Sequence, residues 1–367
     1  MAALLTVLNL ALVCLFLLAL VLLGLGYWIS NLLMYPPRQR LSRTPADYGM
    51  TYEDVVFKSQ DRCDLKGWWI PAPRALSQRS ASPAVILLHP MFGNRHGFNA
   101  PREGWLRLLQ PEIDLLEVAR SFHQAGFSLL MFDFRGHGAS QAARCAGGLT
   151  EDQDVRGAVD YAFDRIAAET GARATPRVGI VGFGLGASAA IAAVGRERGG
   201  AEVIRIFSAD SEGSSGLIEI QPANVKKLRF LVAIQPVSLA NLLRGYLRQV
   251  FAPLAVVLIP LVDRICTWRG SYPLDPAFLL KYTRNINVPV LYVQVRRDPL
   301  GPSRELQDLF EATPNAKMIR WIKESPGWLE AHDCLSAQLE SILAFAAQHI
   351  SSGKLRHPHA RHPYRDL

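Results

Sequence analysis

The sequence predicts an α/β fold, a mostly parallel sheet covered by helices on both faces, joined to one N-terminal transmembrane helix. Three observations carry this expectation. From residue 53 onward, short apolar runs of strand length alternate with helix-length periodic segments, the pattern of sheets built from β/α units. Arg177 to Ser188 reads as an apolar strand that turns through Gly182, Gly184 and Gly186 into an Ala-rich helix. Ala2 to Pro37 hold no charged side chain.

Leu4 to Trp28 is almost continuously Leu, Val and Ala, longer than the roughly 20 residues that cross a bilayer. A cleaved signal peptide would want a basic start, an apolar run of about 7–15 residues and a small-residue cleavage site. None of these is present. Tyr27 and Trp28 close the run, and Arg38, Arg40 and Arg43 follow it; aromatic residues favour the interface, and basic ones the cytoplasmic side. The expected arrangement is therefore a single-pass membrane protein with its main domain in the cytoplasm.

A chain of 367 residues, 49% of them hydrophobic, can bury the core of one large α/β domain. Cys14, Cys63, Cys145, Cys266 and Cys334 are scattered, with no CxxC pair and no metal-ligand spacing, so reduced thiols and no metal are expected. The net charge of +8 attracts either nucleic acid or anionic lipid. No basic–aromatic nucleic-acid motif is visible, and for a tethered domain lipid headgroups are the nearer target.

In chain order, residues 1–37 form the anchor and its exit, and 38–52 a linker. Glu53–Lys58 and Leu65–Ile70 flank the polar turn Gln60–Asp64 as a hairpin. Pro71 to Pro83 is a loop, and Ala84–His89 a strand of the fully buried type. Pro111 to Ala125 has helical spacing and ends at Gly126, a suitable cap. Phe127–Phe132 is a strand, Asp133–Ser140 a tight turn, and Thr150 caps a helix that runs to about Thr170. Residues 199–227 read as an insertion with a strand at Val203–Phe207, and Leu228–Ile234 as a further strand. Within 236–275 the apolar run Val250–Val262 is broken by Pro253 and Pro260. Too short and interrupted for a span, it reads as a hydrophobic cap over the sheet edge, able to touch the membrane. Val288–Val295 (strand), Ser303–Ala312 (helix), Lys317–Ile322 (strand) and Cys334–Ile350 (helix) close the domain at 350. The tail 351–367 is basic, rich in His and solvated.

Four landmarks then stand in order: His89-Pro-x-x-Gly93 after a strand, Asp133-x-Arg-Gly-His-Gly-x-Ser140, the Gly182-Phe-Gly184-Leu-Gly186 bend, and late Asp and His positions. Together they resemble the α/β-hydrolase superfamily across roughly Glu53 to Ile350, which implies the α/β-hydrolase fold with a helical cap. In that family the bend is a nucleophile elbow, Gly-x-Ser-x-Gly. Here Gly184 occupies the nucleophile position, so no hydroxyl is offered there. The resemblance further implies Asp298 as the acid, His332 as the imidazole, and the backbone N–H groups of Met91 and Leu185 as oxyanion donors. Ser188 lies one helical turn beyond Gly184, while Ser140 and Cys145 belong to another loop. His89 and His137 sit in turn motifs and read as structural.

These residues imply an apolar or acyl ligand, or a membrane-protein partner, held by a pseudo-hydrolase in a pocket beneath Val250–Val262, with no cofactor. An alternative keeps catalysis, with water activated by His332 and Asp298 attacking an ester. A different class also fits the bend: Gly182-x-Gly184-x-x-Ala187 matches a dinucleotide fingerprint, with Asp210 at the ribose-binding distance after the 203–207 strand.

Overall fold

The computed structural model describes residues 1–73, 83–98, 113–170, 175–196, 202–206, 216–220, 224–269, 274–296, 298, 300–301, 303–322 and 331–351; side chains of residues 2, 202–206, 216–220, 331–337 and 351 are outside that description. Its centre is an eight-stranded sheet. The strands are β1 (Glu53–Lys58), β2 (Asp64–Ile70), β3 (Ala84–Leu88), β6 (Ser128–Phe132), β7 (Val178–Phe183), β10 (Leu231–Ile234), β11 (Val290–Val295) and β12 (Lys317–Ile322). The order is β1-β2-β6-β3-β7-β10-β11-β12. Only the β1–β2 and β2–β6 pairings are antiparallel, and the remaining five are parallel. The central strands β3, β6, β7 and β10 are buried at every residue, which is why they read as continuous apolar runs and not as alternating ones.

Helices α2 (Leu115–Gln124) and α9 (Ala331–Ser351) pack on one face of the sheet. On the other lie α3 (Glu151–Thr170), α4 (Leu185–Gly195), α7 (Phe278–Thr283) and α8 (Ser303–Ala312). Two short ribbons stand apart from the sheet, β4 (Gly97–Phe98) with β5 (Ile113–Asp114), and β8 (Glu202–Ile206) with β9 (Gly216–Ile220). The helix expected from Pro111 begins instead at Leu115. Residues 113–114 pair as strand, and the Asp114 carboxylate accepts the Leu116 N–H at 2.9 Å, capping the first turn.

Helix α1 (Ala2–Met34) is uncharged and mostly apolar, and largely exposed from Ala3 to Gly24. The segment expected as a linker is docked. Arg38 donates from Nε to the Gly138 carbonyl at 2.9 Å and also to the Ser140 carbonyl. Arg43 pairs with Asp114 at 3.0 Å, and Asn94 Nδ2 donates to the Gln39 and Arg40 carbonyls at 3.3 and 3.4 Å. Arg38 and Arg43 thus have structural partners in the domain.

The Asp133–Ser140 turn is a buried scaffold. Asp133 accepts the Arg95 and Ala139 N–H groups at 2.6 and 2.7 Å and pairs with the Arg95 guanidinium at 3.0 Å. A Cβ on Gly138 would lie 2.3 Å from that carboxylate, so glycine is required there. Arg135 holds Asp154 from Nε and Nη2 at 2.9 and 2.6 Å and reaches Asp61 at 2.7 Å. Beyond β10 the chain forms α5 (Leu239–Phe251), a short turn at Ala252–Leu254, and α6 (Ala255–Trp268).

Candidate active site

The bend after β7 forms because two glycines admit backbone where any side chain would collide. A Cβ on Gly182 would lie 2.6 Å from the Gly186 carbonyl, and one on Gly186 would lie 2.6 Å from Leu88 Cβ and 2.7 Å from its carbonyl oxygen. Gly184 between them differs. It adopts φ +51°, ψ −111°, and its N–H donates to the Ile234 carbonyl at 2.9 Å, yet an added Cβ would meet only Pro90, at 3.4 Å. The outer glycines are sterically obligatory, whereas the middle one has room for a side chain. Gly186→Ala is accordingly expected to cost about 3 kcal/mol, the upper part of the usual overpacking range. Gly184→Ala should cost less, about 2 kcal/mol, the strain of an L side chain in a sparsely populated positive-φ region. Thermal melts of the two full-length variants in detergent check this order.

The hydroxyl nearest in sequence is committed elsewhere. Ser188 Oγ lies 2.9 Å from the Val237 carbonyl and 3.1 Å from the Gly184 carbonyl, and accepts the Val237 N–H at 3.2 Å. It is fully buried, tying the first turn of α4 to the loop after β10. Ser140 Oγ donates to the Asp133 carbonyl and accepts the Lys66 N–H. Burial, followed by the nearby Glu151 carboxylate, pushes the Cys145 thiol far up, away from the thiolate.

Across the bend, Pro90-Met91-Phe92-Gly93 closes a turn in which the Gly93 N–H donates to the Pro90 carbonyl at 3.2 Å. Phe92 has φ +65°, rare for a bulky side chain. Leu185 opens α4, and a first-turn N–H has no intrahelical acceptor. Met91 and Leu185 are both buried. His89 is not a free base: Nε2 accepts the Phe134 N–H at 3.0 Å, and Nδ1 lies 2.8 Å from the Pro90 carbonyl. Both nitrogens are engaged in a neutral ring, and burial, with His137 beside it, holds its pKa well below the usual value. His137 Nδ1 likewise lies 3.0 Å from the Arg135 carbonyl.

Asp298 follows β11. Its Oδ1 accepts the Leu300 N–H at 2.9 Å, and its Oδ2 accepts from Gln235 Nε2 at 3.1 Å. Burial raises this carboxyl above the usual range, while the Leu300 and Gly301 amides and Gln235 pull it down. Gln235 escaped the sequence reading. It follows Ile234, which pairs with Phe183 on one side and Val293 on the other, and has φ +49°. This non-glycine residue is therefore strained beside Gly184, and its amide reaches the acid. Its only local signals were a polar residue ending an apolar strand and the Pro236 that follows. His332 lies in the first turn of α9, which begins at Ala331 and not at Cys334; its side chain is outside the described residues.

The dinucleotide reading is corrected by topology. The strand beside β7 on the Gly184 side is β10, whereas β8, whose end would carry the ribose-binding acid, pairs only with β9 outside the main sheet. Asp210 itself lies outside the described residues. Among the described residues no cluster of His, Cys, Asp or Glu suits a metal ion. A small cavity does exist, but no residue of the Gly182–Gly186 bend lines it. Leu33 and Met34 of α1, Leu239 and Ala240 of α5, Cys266 of α6 and Phe278 of α7 line it. It lies at the root of α5 and α6, not beneath Val250–Val262 as expected.

Comparison with known proteins agrees with this fold. The model of the alpha/beta hydrolase family matches residues 85–344. The uncharacterized protein YfhR of Salmonella typhimurium is 29% identical over 165 residues, 45% of this chain and 47% of that protein. The uncharacterized membrane protein YNL320W of Saccharomyces cerevisiae is 27% identical over 132 residues, 35% of this chain and 39% of that one. The matches thus span about half the length of these curated relatives or less. Among solved structures, the Pyrococcus furiosus esterase Pf2001 superposes with a TM-score of 0.58 at 23% identity, covering 87% of this chain and 99% of that one, a likeness of fold.

Proposed function

Because the chain belongs to the alpha/beta hydrolase family, we propose that it is a membrane-anchored member that keeps the scaffold without serine chemistry and binds an apolar or acyl ligand. The observation that carries this reading is the bend. Gly184 stands at the nucleophile position with space for a side chain and no oxygen, and the adjacent Ser188 hydroxyl is held by Val237. Without an attacking atom, an oxyanion pocket and binding leave only about 10³–10⁴-fold over water in the protease precedent. The anchor is α1, whose 33 residues exceed the span of a bilayer, with the domain on the cytoplasmic side. The similarity to a yeast membrane protein supports this attachment.

A second reading keeps hydrolysis, with a water above Gly184 activated by His332 and oriented by Asp298. The engaged Asp298 carboxylate and the fold shared with a protein named an esterase favour it. Short acyl esters separate the two. The unmodified protein is expected to hydrolyse them no faster than that residual level, and His332→Ala to change nothing. Turnover that disappears in His332→Ala would overturn the pseudo-hydrolase reading.

A further inference from the structure

We propose that the α5–α6 hairpin is a second membrane element, its bend buried in one leaflet beside α1. This rests on the reading of α1 as a membrane span. Contacts along α6 show that it runs parallel to α1. A Cβ on Gly26 would sit 3.1 Å from Leu261 and Ile265. Further along both helices, the Cys266 thiol and the Arg269 guanidinium donate to Ser30 Oγ at 3.4 and 3.2 Å, and Arg269 also reaches Asn31 at 3.1 Å. Earlier residues of α6 thus meet earlier residues of α1. At 1.5 Å per residue, Val257 lies about 6 Å, and Leu254 about 10 Å, past Gly26 toward the N-terminal part of α1.

The start of α5 and the end of α6 line the same cavity, so the two helices form a hairpin whose far end is the bend at Ala252–Leu254. That end is uncharged from Gln249 to Val262. Val250, Leu254, Val256 and Val257 are exposed, Val256 at 79%. In water this is an unfavourable surface; beside an apolar span it continues the same one. Tyr27 and Trp28 mark the membrane–water boundary on α1. Arg264 is exposed nearer the root of α6, and Arg248 about one turn before the bend on α5, from where its long basic side chain must reach back to headgroups. Each hairpin helix is 13 or 14 residues long, too short to cross about 30 Å of hydrocarbon. The occupant of this surface is therefore one leaflet, entered to the depth of about 5–10 Å usual for interfacial helices. The cavity at the hairpin root then lies just below the lipid boundary.

The test is acyl-chain photolabelling of the full-length protein in phosphatidylcholine–phosphatidylglycerol vesicles. The probe is a phosphatidylcholine carrying a diazirine in its acyl chain, and adducts are mapped by mass spectrometry. Adducts are expected on residues 250–257 as well as on Leu17–Val21 of α1. Adducts on α1 but none on 250–257 overturn the hairpin insertion and leave the anchor standing. No adducts on either overturn the anchor, and this inference with it. A Val256→Asp/Val257→Asp variant, altered only at exposed positions, should lower hairpin labelling at least about fivefold, because charge is disfavoured in hydrocarbon. Labelling of α1 should not change. Undiminished hairpin labelling in that variant also overturns the inference.

Discussion

Gly184→Ser is expected to label covalently with a fluorophosphonate, whereas the unmodified chain does not. The substitution is sterically admissible, since the nearest atom to a Cβ at 184 is Pro90 Cβ, at ordinary contact distance. The backbone already holds the bent conformation, φ +51°, ψ −111°, so the serine inherits a pre-aimed direction at a cost of about 2 kcal/mol for an L residue in that sparsely populated region. If His332 and Asp298 stand where the family resemblance puts them, ester hydrolysis should rise at least about 10²-fold over the unmodified protein. That is a small part of the roughly 10⁶-fold lost when a protease serine is removed. Adding His332→Ala should abolish both labelling and turnover. A folded Gly184→Ser protein that neither labels nor hydrolyses would show that residue 184 no longer faces a working base.

Arg135→Met should be the most damaging single change, with a loss of about 3–5 kcal/mol, the cost of breaking a buried ion pair by removing one partner. Arg135 and Asp154 are both buried, and Asp61 nearly so. Removal of the guanidinium strands two carboxylates among apolar residues. The loss should also depend on pH in a defined direction. Burial already pushes Asp154 up to about 7 against the pull of Arg135, and without that pull it rises further. A carboxyl whose folded pKa exceeds its unfolded value of about 3.9 subtracts stability above the folded pKa, and the penalty fades as pH falls through it. The variant should therefore recover relative to the parent as pH falls from about 9 to about 7, below which the two should change in parallel. Urea unfolding in detergent across that range measures the difference, and a gap independent of pH would contradict the assignment.

The parts of the fold that were legible beforehand are those written in local pattern. Strands β3, β7 and β10 are fully buried apolar runs, and a run of that kind announces itself without knowledge of its neighbours. The spaced glycines at 182, 184 and 186 predict a sharp strand-to-helix bend for the same reason. The docked segment at Arg38–Arg43 was read as a linker because its partners, Gly138, Ser140 and Asp114, are 71 to 102 residues away. Gln235 carries only the weak signal of a polar residue before Pro236, and Phe92 none. Both have positive φ, and only the assembled sheet shows that the Gln235 amide reaches Asp298.

The sequence by itself determined that a glycine occupies position 184, that the flanking glycines bend the chain there, and that the N-terminal helix is apolar enough to span a bilayer. Each depends on the chemistry of adjacent residues. Tertiary structure alone decided that position 184 has space for the side chain it lacks, that Ser188 is hydrogen bonded to Val237, and that α6 lies parallel to α1 with its apolar end outward. These depend on which distant segments meet, and the covering of one surface by another is a property of the folded chain.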